Sequence, residues 1–92
     1  MIGQFASSKA GHDKDALYVI VAEEGDFVML ADGRLKTISH PKKKRRKHIQ
    51  LMNRQVEETL VQSIKSGTAR DEQIKYAIRH YNADQRVGNS KF

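Results

Sequence analysis

Turn signals recur about every eight to twelve residues along the first half of the chain, which leaves room only for short strands. Glu24-Gly25-Asp26 is one such signal and Asp32-Gly33 is another. A type I′ hairpin turn needs positive φ at both central residues, so Asp-Gly is a strong hairpin sequence. The segments between the turns are rich in Val, Ile, Tyr and Phe, which suit a pleated, half-buried surface. Strands are predicted over 2–8, 16–23, 27–30 and 35–39. Pro41 has no N–H and belongs at a strand start or break. His48-Ile49-Gln50-Leu51 alternates polar and apolar, as a fifth strand would. Five short strands at this spacing point to a small barrel or sandwich, and closure into a barrel would leave no free edges.

From residue 53 onward the period changes to that of a helix. Asn53 is a candidate cap for a helix carrying Val56, Leu60, Val61 and Ile64 on one side. Gly67 can end it. Thr68-Ala69-Arg70-Asp71 resembles a capping box, and Ile74, Ala77, Ile78 and Tyr81 follow at helical spacing. Helices this short are marginal alone in water, so they are expected to pack on the strands. The organisation expected is a β unit over 1–52, a helical extension over 53–85 and a mobile tail over 86–92.

The chain has 92 residues and no cysteine. That allows one modest core and excludes disulfide staples and thiolate zinc sites. No apolar run approaches the roughly 20 residues that cross a bilayer, and the N-terminus lacks signal-peptide character. The expectation is a soluble, cytoplasmic protein without a membrane partner. Charge is unevenly distributed. The chain carries 17 Lys and Arg against 11 Asp and Glu, a net charge of +6. Lys42-Lys43-Lys44-Arg45-Arg46-Lys47 accounts for all of that excess. Adjacent cations repel one another, and a polyanion relieves the repulsion. Three readings of the run stand side by side: phosphate binding on structured RNA, a nuclear localisation signal, and a solvated loop.

Ile2-Gly3-Gln4-Phe5-Ala6-Ser7-Ser8-Lys9-Ala10-Gly11-His12-Asp13-Lys14, followed by Tyr18-Val19-Ile20-Val21, resembles a KOW motif, in which a strand leads through a glycine-containing loop into a second apolar strand. Gly11 matches the loop glycine and Gly3 the glycine at the start of the first strand. The order of Asp-Gly hairpin, Pro-Lys-Lys-Lys segment and His-Ile strand is similar to KOW proteins of archaeal-type and eukaryotic-type large ribosomal subunits, and to small bacterial KOW-domain proteins. Asp15 departs from the pattern, since many members carry glycine there, and it sets a carboxylate beside the loop. The resemblance implies an SH3-like five-stranded barrel that binds RNA, often ribosomal RNA, in translation or ribosome assembly, with ribosomal proteins as further partners. On this reading Lys9, Gly11, His12 and Lys14 orient the RNA. Lys42, Lys43, Lys44, Arg45, Arg46, Lys47 and His48 contact phosphates, and Arg34 and Lys36 extend the surface. KOW-like barrels also occur in transcription elongation factors, which leaves a protein-interaction adaptor for an acidic partner as the alternative.

Phe5, Tyr18 and Phe27 fall in predicted strands, and no aromatic residue interrupts the basic run. Recognition is therefore expected to follow RNA shape and backbone, because base readout of single strands uses exposed stacking rings. His12, His40, His48 and His80 form no close metal-ligand pair. Asp13 and Asp15 do not continue into a calcium-loop series. No phosphate loop is present, and Ser7 and Ser8 have no identifiable base. The sequence thus predicts no enzyme, no cofactor, no metal and no small-molecule substrate.

Overall fold

A computed structural model describes residues 1–9 and 16–89. The chain forms a five-stranded antiparallel sheet followed by two helices. The strands are β1 (Gln4–Ser8), β2 (Leu17–Glu24), β3 (Phe27–Ala31), β4 (Lys42–Arg45) and β5 (Ile49–Gln55). A 3₁₀ turn over Arg46–His48 joins the last two. The helices are α1 (Glu58–Ser66) and α2 (Asp71–Asn89).

The sheet order is β4-β3-β2-β1-β5, so β4 and β5 are its two edges. In a flat sheet of this order the outer strands would stand about 19 Å apart. The three residues of the 3₁₀ turn, even fully extended, reach only about 14 Å from Arg45 to Ile49. The sheet must therefore curl strongly. Two register shifts contribute, one between Ile20 and Ala22 on β2 and one between Gln4 and Ala6 on β1, because bulges bend a strand and increase its twist. Among the described residues no ladder joins β4 to β5. The sheet is curled but open, in contrast to the closed five-stranded barrel expected.

Curling explains why both faces of the sheet are dry. One face presents Phe5, Val19, Val21 and Ala31, and is covered by Val56, Val61 and Ile64 around α1 and by Ile74 of α2. The other carries Ala6, Tyr18, Ile20, Val28, Leu30 and Ile49. This second cluster contains no helix residue, yet Ile20, Val28 and Leu30 are fully buried. The bent strands enclose them. Each such side chain contributes about 1.5–3 kcal/mol through burial.

Several boundaries differ from the sequence reading. Residues 35–39 form no strand, because Asp32 folds the segment into a loop. Its Oδ1 accepts the amides of Arg34 and Lys36, each at 2.9 Å, the local bonding by which Asp competes with ladder formation. Leu35 is left 87% exposed. The fourth strand is instead the basic segment itself. His48 belongs to the 3₁₀ turn and not to β5. Asn53 caps no helix, since β5 runs through it to Gln55 and α1 starts at Glu58. Gly67 does end α1, in a left-handed conformation. At the start of α2 the reciprocal bond comes from Gln73, whose Oε1 accepts the Arg70 amide at 2.8 Å. α2 is longer than expected, with 19 residues, and extends to Asn89 into the segment expected as a tail.

Candidate nucleic-acid interface

β4 forms where β3 offers it an edge. Lys42 stands opposite Leu30, Lys43 opposite Met29, Lys44 opposite Val28 and Arg45 opposite Phe27. Successive strand residues point to opposite faces, so the run is divided between the two sides of the sheet. Lys42 and Lys44 share the face of Leu30 and Val28 and are half-buried. Burial, and then the like charge of Lys44, hold the Lys42 ammonium below the usual lysine pKa. Lys43 and Arg45 share the opposite face and are exposed. Both lie over the Phe27 ring, with the Lys43 Nζ at 4.6 Å and the Arg45 guanidinium carbon at 4.8 Å from its centroid. These cation–π contacts hold the heads in place while leaving their outer sides to solvent.

Not all six cations are equally available. Arg46 is committed to the fold: its guanidinium bonds the Gly25 carbonyl at 2.8 Å and Glu23 at 3.0 Å, and its amide bonds the Asp26 carbonyl. Lys43 pairs with Glu24 at 3.0 Å, an exposed contact of the kind that contributes little and exchanges readily. Lys47 and His48 are exposed on the 3₁₀ turn.

The turn brings the run to the end of β1. The Lys9 amide donates to the His48 carbonyl at 3.0 Å, and Ser8 pairs with Ile49 in the ladder. Exposed Lys9 therefore stands beside His48, although 39 positions separate them in the sequence. Gly11, His12 and Lys14 lie outside the described residues. Gly3 adopts a φ of +90° at the start of β1.

Arg34 and Lys36 sit on the Asp32 loop, away from the turn. Gly33 has a φ of +79°, and a Cβ there would meet the backbone of Asp71 and the Lys75 nitrogen, the latter at 2.9 Å. This close approach seats the loop on the first turns of α2. It also creates a cleft lined by Asp32, Arg34, Lys75, Ile78, Arg79 and Asn82. Lys75 and Arg79 escaped the sequence reading, which treated this helix through its apolar stripe. Their spacing of one helical turn was the available signal.

The stacking candidates also resolve. Phe5 and Tyr18 are buried, and Phe27 is capped by cations. Tyr76 is 63% exposed, but it belongs to α2 and not to the basic run. Tyr81 packs against Phe5 with ring centroids 4.7 Å apart. No helix among the described residues is long and apolar enough to cross a membrane. No protein-family model matches the chain, and comparison with curated proteins finds no match.

Proposed function

We propose that the chain is an RNA-binding protein of the KOW type, acting on ribosomal RNA or the ribosome in translation or ribosome assembly. The observation that carries the reading is the junction of Lys9 with His48. It joins the end of the first KOW-like strand to the end of the basic run. The curled sheet, with a 3₁₀ turn returning the chain to β1, supports an SH3-like arrangement in which the barrel stays open between β4 and β5. Binding is electrostatic: Lys42, Lys43, Lys44, Arg45 and Lys47 displace counterions from phosphates, and Lys9 fixes the orientation together with the loop beyond it. Arg46 holds the β2–β3 turn to the 3₁₀ turn and serves the interface indirectly. No bond is made or broken in this role.

The adaptor reading relies on an apolar stripe at Ile74, Ile78 and Tyr81. Ile74 is fully buried, and Ile78 and Tyr81 pack on the helix-covered cluster, so that stripe is spent on the fold.

The test is crosslinking of the tagged protein in its own cells, with sequencing of the attached RNA. Focused crosslinks on ribosomal RNA are expected, and they should disappear when Lys42, Lys44, Arg45 and Lys47 are changed to Gln with Arg46 retained. Co-purification of acidic proteins without RNA crosslinks would reject the reading.

A further inference from the structure

The cleft between the Asp32 loop and α2 holds a concentration of positive charge that the fold does not use. Arg34 enters it from the loop, and Lys75 and Arg79 from successive turns of α2. No described residue forms an ion pair with any of the three. Like charges one turn apart on a helix disfavour it slightly, and the loop adds a third beside them. The one carboxylate lining the cleft is Asp32, whose Oδ1 is already occupied by the Arg34 and Lys36 amides. The neighbouring Asp71 directs its Oδ1 to the Ile38 amide at 2.8 Å. Three cations thus face one carboxylate. Asn82 adds an amide donor at the rim.

The cleft is also built, because Gly33 is pressed against Asp71 and Lys75 and Asp32 ties the loop backbone internally. The position of Arg34 relative to α2 is set by packing. A guanidinium fork flanked by a second cation is the arrangement that grips a phosphate oxygen pair. The loop runs on through Lys36 and His40 into Lys42 of β4, so the chain leads directly from the cleft to the basic edge.

We infer that this cleft is a second phosphate-binding site, in which Arg34, Lys75, Arg79 and Asn82 take a phosphodiester of the same RNA whose backbone lies on β4. The inference rests on the RNA-binding reading and gives α2 a part in it. Binding to a 20-base-pair RNA duplex, followed by fluorescence anisotropy between 50 and 200 mM salt with the full chain, tests it. Arg34→Gln/Lys75→Gln/Arg79→Gln should reduce the slope of log K against log salt by about 2 to 3 and weaken binding at least about tenfold at low salt. Lys65→Gln/Arg70→Gln, which removes one exposed cation on α1 and one just before α2, should leave the slope within about one of wild type. Amide shifts of Lys75, Arg79 and Asn82 on titrating wild type with the duplex give a readout that does not depend on the triple variant folding. Wild-type binding with an unaltered slope in the folded triple variant, or with no shifts in α2, overturns the cleft while leaving the β4 interface standing. Equal losses in the triple variant and the Lys65/Arg70 control overturn it too. Failure of the wild-type chain to bind the duplex removes both readings together.

Discussion

The two edges of the sheet are protected in opposite ways. β5 reads Ile-Gln-Leu-Met-Asn-Arg-Gln and carries a single cation, Arg54, which is paired with Asp84 at 3.0 Å and lies over Tyr81. Its defence against adding another strand is the register shift opposite Gln4 and Ala6, since a bulge twists an edge out of line. β4 reads Lys-Lys-Lys-Arg, with a cation at every position and on both faces. Charged side chains do protect edges, but β5 shows that this sheet manages an edge with one cation. The density on β4, continued by Lys47 on a turn outside the ladder, exceeds what edge protection requires. The difference between the edges is the ground on which we propose a polyanion as the partner of β4.

The comparison can be broken at its structural base first. Gly33→Ala should destabilise the protein by about 3 kcal/mol, combining positive φ with a clash against α2 backbone. Thermal unfolding measures the loss. Hydrogen exchange should show β4 amides opening before those of β1 and β5, and uniform opening would mean that the two edges are not independent. Next, changing Lys42, Lys44, Arg45 and Lys47 to Gln should lower duplex-RNA affinity about a hundredfold at low salt, or roughly 2.7 kcal/mol. Arg54→Gln on β5 should change it less than about twofold in the same titration. Equal effects at the two edges would end the distinction.

A smaller change sharpens it. Glu23 engages both Arg46 and the N-terminal ammonium. Glu23→Gln should cost at most about 1 kcal/mol of stability. It removes the charge partner of Arg46 while the Gly25 bond remains, so the salt slope should steepen by at most about 0.9. The smallest effect concerns pH. Burial, and then the charge of Asp32, raise the Tyr18 phenol above its usual pKa. The folded state therefore holds this proton more tightly than the unfolded chain does. The resulting stability is complete below the ordinary tyrosine pKa near 10 and is lost as pH rises through the higher folded value. Tyr18→Phe should flatten that alkaline limb in denaturant titrations, and an unchanged limb would place the titrating group elsewhere.

What the sequence disclosed follows from which forces act locally. β1, β2 and β3 were legible because their apolar alternation and β-branched residues speak for themselves. The helices were legible through the period of Val61, Ile64, Ile74 and Ala77. β4 was not, because Lys-Lys-Lys-Arg has no apolar alternation. It becomes a strand through the edge of β3 and the Phe27 ring, both tertiary gifts. The segment 35–39 misled for the converse reason: its strand-like residues are overruled by two hydrogen bonds to Asp32. The basic run was visible as charge. Its division into exposed Lys43, Arg45 and Lys47, half-buried Lys42 and Lys44, and a structural Arg46 was not, since the Arg46 partners Glu23 and Gly25 lie more than twenty positions away. The cleft at Arg34, Lys75 and Arg79 needed the packing of Gly33 on α2.

The most direct test of the β4 assignment is the salt dependence of duplex-RNA binding by the intact chain. If the basic edge binds RNA with Arg46 committed to the fold, about five phosphates would be neutralised there, and log K should fall with log salt at a slope of about −4.5 or steeper, on the order of the duplex coefficient. The four Gln substitutions on β4 and its turn should bring that slope down by about 3 to 4. A slope near zero in the wild-type chain, or one that the four substitutions leave unchanged, would contradict the assignment of the basic edge to RNA.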